Sequence, residues 1–163
     1  MKLFVTGASG FIGKNFCRKA LKKGYTIYAP TRKKKFFYFY KNMIWLSGKF
    51  YHNWKTALSN SNLLVHFAAS GIKHDDTNDI YDVNVFNSLE LLKNSILNDC
   101  KNWLIISSSS EFGLKKKKTY FNIKTNRIPD TNYGLSKAIF TDQSIKLAKK
   151  YKFKLRIMRL FSI

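Results

Sequence analysis

This chain is poor in cysteine, proline and acid, and each scarcity excludes something. Its two cysteines, Cys17 and Cys100, lie far apart with no CxxC spacing. That rules out a disulfide framework and a thiolate metal site. They read as buried free thiols of a reducing compartment, so a cytoplasmic location is expected. His52, His66 and His74 share no ligand spacing, and no metal is expected. No apolar run approaches the ~20 residues that span a bilayer. The opening Leu3-Phe4-Val5 is too short for a signal-peptide core, so no membrane partner is expected.

Acidic residues number 9 against 30 lysines and arginines, a formal net charge of +21. Such a balance commonly signals polyanion binding. Two runs concentrate the charge, Arg32-Lys33-Lys34-Lys35 and Lys115-Lys116-Lys117-Lys118. The other lysines are dispersed among many asparagines, a pairing that AT-rich codons produce without selection for a ligand. Nucleic acid is therefore not expected as the partner. At 163 residues, 45% hydrophobic and 16% aromatic, the chain suffices for one domain with a real core.

Short apolar runs alternate with amphipathic stretches, the pattern of βαβ units. Strands are expected at Lys2–Val5, Thr26–Ala29 (stopped by Pro30), Ile44–Leu46, Leu63–Ala68, Trp103–Ser107 and Lys154–Arg159. Helices are expected at Phe11–Lys23 with Gly24 as its cap, Trp54–Leu58, Asp79–Leu97 and Tyr133–Lys150. The fourth strand is almost wholly apolar, as for a strand covered on both faces. Together these predict an α/β fold, a doubly wound parallel sheet of the Rossmann type over residues 1–163. The aromatic run Phe36–Tyr40 is read as packing of a loop against the sheet edge.

Of only eight glycines, three fall where the first strand gives way to the first helix, in Thr6-Gly7-Ala8-Ser9-Gly10-Phe11-Ile12-Gly13. Gly7 suits the tight turn, Gly10 close approach of a pyrophosphate, and Gly13 close packing of helix on strand. The pyrophosphate would rest on the amides that open the helix, those of Phe11 and Ile12 included. A dinucleotide is thus the expected cofactor.

The spacing Gly-x-x-Gly-x-x-Gly, with the motifs that follow it, resembles the NAD-dependent epimerase/dehydratase family of the extended short-chain dehydrogenase/reductase superfamily. His66-Phe67-Ala68-Ala69 resembles its His-x-Ala-Ala, and Asp82-Val83-Asn84-Val85 its asparagine-containing helix. Ser107-Ser108-Ser109-Ser110-Glu111-Phe112-Gly113 is similar to its Ser-Ser-x-x-Val-Tyr-Gly, and Tyr133-Gly134-Leu135-Ser136-Lys137 to its Tyr-x-x-x-Lys. Arg159-Leu160-Phe161-Ser162-Ile163 looks like the start of its Arg-x-Phe-Asn-x-Tyr-Gly-Pro.

The resemblance implies a nucleotide-sugar epimerase or 4-keto reductase. Ser108, or Ser109 if the turn is one residue shorter, Tyr133 and Lys137 would be catalytic. Gly7, Gly10, Phe11, Ile12, Gly13, Arg32, Ala68, Ala69, Asn84, Tyr133 and Lys137 would hold the cofactor. Tyr133 and Lys137 share a helix face. The Lys137 ammonium and an oxidised nicotinamide would bring the phenol, ordinarily ~10, toward neutrality. Related 4,6-dehydratases carry acids directly after the catalytic hydroxyl. Here those positions are Ser109 and Ser110, which argues against dehydration.

The second strand ends without the acid that NAD enzymes use on the adenosine ribose. Arg32 follows instead, suited to a 2′-phosphate, so NADP is favoured over NAD. Lys49 stands where the family often has an acid for adenine, and Lys115–Lys118 falls where its substrate cleft opens. Expected partners are a nucleotide-diphosphate sugar and a second copy of the chain. Members of the family are considerably longer and carry a C-terminal substrate domain, so the end at Ile163 reads as a fragment with little turnover of its own. The alternative is a non-catalytic dinucleotide-binding or interaction module of the same fold.

Overall fold

The computed structural model describes residues 1–31, 41–47, 54–71, 79–114 and 120–161. Six parallel strands, β1 (Lys2–Thr6), β2 (Thr26–Thr31), β3 (Met43–Ser47), β4 (Leu63–His66), β5 (Asn102–Ser108) and β6 (Lys154–Leu160), form one sheet in the order β3-β2-β1-β4-β5-β6. The chain winds outward from β1 in one direction, then returns to β4 and winds in the other. The doubly wound expectation is met.

Alternation along each strand divides the core between two faces. Leu3, Val5, Ile27, Ala29 and Val65 pack with Ala8, Cys17 and Ala20 of the β1 turn and α1 (Phe11–Lys22). Phe4, Leu64, Trp103 and Ile105 pack on the other face with residues of α2 (Lys55–Ser59), α3 (Asn87–Leu97) and α4 (Asn132–Tyr151). Gly24 takes φ +75 just past α1 and ends it as expected. Both cysteines are free and buried, their thiols pushed up to about 12 by burial. No helix among the described residues is long and apolar enough to cross a membrane.

Three expectations need correction. Pro30 does not stop β2, which runs on to Thr31. Pairing of β2 with β1 ends at Phe4–Tyr28, whereas pairing with β3 continues through Pro30–Leu46 to Thr31–Ser47. The proline therefore breaks no ladder bond on the β1 side. β4 ends at His66 rather than Ala68, because the chain turns there past Gly7. The long helix before β5 is not uniform: a wider π-type turn occupies Asp82–Phe86 before α3. The extra residue rotates the buried face, so Asn84, Val85 and Ser88 point inward and Phe86 stays exposed.

Candidate active site

β1 ends between β2 and β4, at the point where the winding of the sheet reverses. Crevices for ligands in open parallel sheets form there. Gly7 has φ +66, and a Cβ on it would stand 2.7 Å from Ala68 N and 2.8 Å from the Phe67 carbonyl carbon. A Cβ on Gly13 would lie 2.1 Å from Gly7 O. The first α1 bond runs from Lys14 N–H to Gly10 O at 2.8 Å, so the amides of Phe11, Ile12 and Gly13 lie in the turn that has no intrahelical acceptor. That turn carries no acid and no side-chain cap, with Phe11 exposed and Ile12 half-buried. An anion of pyrophosphate size fits this donor set.

A buried chain of hydrogen bonds fixes the neighbouring strand ends. Ser88 Oγ donates to Val83 O at 2.7 Å, within the wide turn. His66 Nε2 therefore donates to Ser88 Oγ (3.0 Å), and Thr6 Oγ1 donates to His66 Nδ1 (2.8 Å). Ala68 N–H closes the series on Thr6 Oγ1 at 3.4 Å. Burial, helped by the Lys137 charge, lowers His66 to about 3 and holds the ring neutral. His66 thus braces the loop that carries Ala68 and Ala69, both half-buried, with Ala68 against Gly7. Among the described residues no three His, Cys, Asp or Glu converge as metal ligands. His52 and His74 lie outside the described residues.

Asn84 is 1% exposed at the centre of the wide turn. Its Oδ1 accepts from Ser70 N–H (2.8 Å), and its Nδ2 donates to Ser70 O and Ser136 Oγ, each at 3.0 Å. Every polar atom of the side chain joins the loop after β4 to α4. Expected as a cofactor contact, it is found holding the two elements that frame the crevice.

Ser108 ends β5, and its Oγ accepts from Ser110 N–H at 3.1 Å to cap the 3-10 turn Ser109–Phe112. Ser108 Oγ donates to Ser110 Oγ at 3.0 Å, and Tyr133, in the first turn of α4, is near enough for the Ser108 hydroxyl to favour its phenolate. Of the two serines weighed from sequence, Ser108 is the one whose hydroxyl acts on the phenol. Lys137 follows one turn on, 2% exposed, and donates Nζ–H to Ile106 O on β5 at 2.9 Å. Burial pulls its pKa down to about 8, against the raising influence of Glu111.

The expected lowering of the phenol is not what the chain's own groups produce. Burial pushes Tyr133 up, the Ser108 hydrogen bond opposes this, and the Glu111 charge adds to the rise. The lysine ammonium is turned to a strand carbonyl, so the Tyr133 phenolate gains little from it.

Sequence reasoning missed two features that assemble this site. A Cβ on Gly134 would meet Ser110 O at 2.4 Å, so glycine after the tyrosine lets α4 close on the serine turn. Glu111 is fully buried and receives bonds from Ser107, Thr141, Arg127 and Arg159. A lone acid in the serine turn was the signal, but most of its partners come from remote segments. Arg32, Lys49, Lys115–Lys118 and Phe36–Tyr40 lie outside the described residues, as do the last two residues of the final motif.

A doubly wound parallel domain with a glycine turn at the switch point and a Ser/Tyr/Lys set at the end of β5 defines a short-chain dehydrogenase/reductase type of architecture. The chain belongs to the NAD dependent epimerase/dehydratase family, which matches residues 3–163. Among solved structures it is similar to UDP-glucuronic acid 4-epimerase from Bacillus cereus, crystallised with NAD and a fluorinated UDP-sugar (TM-score 0.83, 20% identity, 98% of this chain and 56% of that one). It is also similar to dTDP-glucose 4,6-dehydratase from Bacillus anthracis with NAD (0.79, 23%, 98% and 54%). UDP-glucose 4-epimerase from Thermotoga maritima with UDP-glucose is comparable (0.79, 19%, 98% and 55%). These likenesses establish the fold. The chain spans little more than half the length of each. A search of curated proteins finds no significant sequence match.

Proposed function

We propose that this chain is the dinucleotide-binding and proton-transfer part of a nucleotide-sugar epimerase or 4-keto reductase that uses NADP in preference to NAD. The observation that carries the reading is the close packing of the α4 start, with Tyr133 and Lys137, on the β5 end that carries Ser108: Gly134 closes on Ser110 O and Lys137 bonds Ile106 O. The amides of Phe11, Ile12 and Gly13 hold the cofactor pyrophosphate, and Gly10 leaves room for it. Ala68 and Ala69 border the cofactor on the β4 side. Arg32 receives the 2′-phosphate. When bound, the nicotinamide supplies the acceptor or donor of hydride at the sugar carbon.

Ser108 binds the reacting sugar oxygen, and Tyr133 takes the hydroxyl proton as the alcohol becomes a ketone, returning it in reduction. Lys137 holds the nicotinamide ribose. Asn84 and His66 hold the loop and helix that carry these groups. Glu111 is an unsuitable acid for elimination, since both its oxygens are occupied by protein donors. That favours epimerisation or reduction over dehydration. The substrate and a second copy of the chain are the partners in this reading.

Fluorescence titration with NADPH and NADH tests it. The wild type binds NADPH more tightly, Gly10→Glu loses at least about tenfold, and Arg32→Ala brings the two affinities together. Equal affinities in the wild type would remove the NADP assignment, and absence of binding would remove the whole reading. Binding with no transfer to any nucleotide sugar, even when the remaining part of a related enzyme is fused, would leave a non-catalytic module.

A further inference from the structure

Among the described residues Glu111 is the one buried acid, the proposed chemistry does not use it, and it sits between the two elements that carry that chemistry. Its Oε1 accepts from Ser107, the neighbour of Ser108, and from Thr141 Oγ1 at 2.6 Å, one turn beyond Lys137 on α4. Its Oε2 accepts from Arg159 Nε of β6 at 2.8 Å and from an Arg127 Nη at 3.5 Å. Arg127 in turn pairs with Asp142 and donates to Ala138 O at 3.4 Å, tying residues 120–130 to the same helix. The carboxylate therefore spans β5, β6, α4 and the segment before α4.

We propose that Glu111 is a positioning residue for the Tyr133–Lys137 pair: its carboxylate locks the β5 end to α4, and its balance with Arg127 and Arg159 sets the charge that the pair faces. The proposal rests on the Ser/Tyr/Lys reading for its purpose, but not for its test. The charged and titratable groups around the site are few. Arg159 comes from β6, Arg127 from the segment before α4, and Asp142, Lys137 and Tyr133 from α4. His66 comes from β4 and is kept neutral. Glu111 raises both Tyr133 and Lys137, in each case after the larger influence of burial. A structural tie alone would have no preferred sign. A charge balance has one: Glu111 and Asp142 offset Arg127 and Arg159, so removing the carboxylate leaves a net positive charge and removing an arginine leaves a net negative one.

The test follows the Tyr133 phenol by ¹³C NMR of the 163-residue chain, assigned with Tyr133→Phe, together with Lys137 Cε. Glu111→Gln should lower both midpoints by about half a pH unit or more. Arg159→Gln and the milder Arg127→Gln should raise them, and Glu111→Gln with Arg159→Gln should return them toward the wild type. Shifts of one sign in all variants, or none, would overturn the proposal. So would loss of the fold in Arg159→Gln, Arg127→Gln and the double variant alike, the mark of a purely structural network. NADPH titration of the same variants keeps the two readings apart. A wild type that fails to bind dinucleotide sinks the functional reading, whereas the phenol midpoints judge Glu111 without any cofactor.

Discussion

At the scale of single residues, His66 shows how a motif position acquires a physical task. Its ring lies in the core with both nitrogens used, so protonating it would break the bond from Thr6 and place a charge near the Lys137 ammonium. Its folded pKa of about 3 lies below the ordinary 6.5. Between those values the unfolded chain binds the extra proton, and stability falls as pH drops. From pH 7 to pH 5 this one group costs about 2 kcal/mol. Urea unfolding at the two pH values should show that loss in the wild type and a shallower one in His66→Asn. Equal losses would show the histidine is not the sensor. Lys137 acts in a separate window, since a folded value near 8 against 10.5 makes stability climb as pH rises between them.

The sequence motif pointed to His66, Ser108, Tyr133 and Lys137 because their spacing is local. It gave no hint that the imidazole would face protein on both sides. It could not reveal the Glu111 network either, for Arg159 is 48 positions away in the chain. Composition even pointed elsewhere, since most of the arginines and lysines read as solvated charge.

Among the elements, α4 carries the most consequence, because its first turn presents Tyr133 and its second Lys137. Thr131 caps it by accepting from Gly134 N–H at 3.0 Å. Lys152 ends it in a left-handed conformation, φ +51, where glycine is favoured. Thr131→Ala should destabilise by about 1 kcal/mol, and Lys152→Gly should stabilise by up to about 1 kcal/mol. Thermal or urea unfolding of the two variants should move in opposite directions. A neutral Thr131→Ala would mean that packing against the serine turn already holds the helix start.

Element types were legible from periodicity, and most boundaries fell within two residues. The misses have distinct causes. Pro30 was read as a stop because a proline's missing N–H matters only if a neighbour needs it, and strand pairing is a property of the sheet. The wide turn at Asp82–Phe86 escaped because one inserted residue leaves the apolar pattern near helical spacing while rotating its face. That rotation is what turns Asn84 toward Ser70 and Ser136.

For the molecule as a whole, a charge of +21 on 163 residues sets a self-repulsion that the fold has to overcome. Added salt screens it, with a Debye length near ~10 Å at 0.1 M. The melting temperature should therefore rise from 20 to 300 mM NaCl, while affinity for the anionic dinucleotide falls over the same range. A melting temperature that is flat or falls with salt would mean that attractive pairs such as Arg127–Asp142 outweigh the dispersed lysines.

The sequence by itself determined the alternation of strands and helices, the parallel sheet, the glycine turn and the order of the Ser/Tyr/Lys motifs. All of these are encoded in periodicity and short spacing. Only the tertiary structure decided that Lys137 turns to Ile106 O and that burial raises the phenol. It alone made Glu111 the common anchor of β5, β6 and α4. Burial and charge balance depend on which distant residues share a small volume, and that volume exists only once the sheet has been wound and covered.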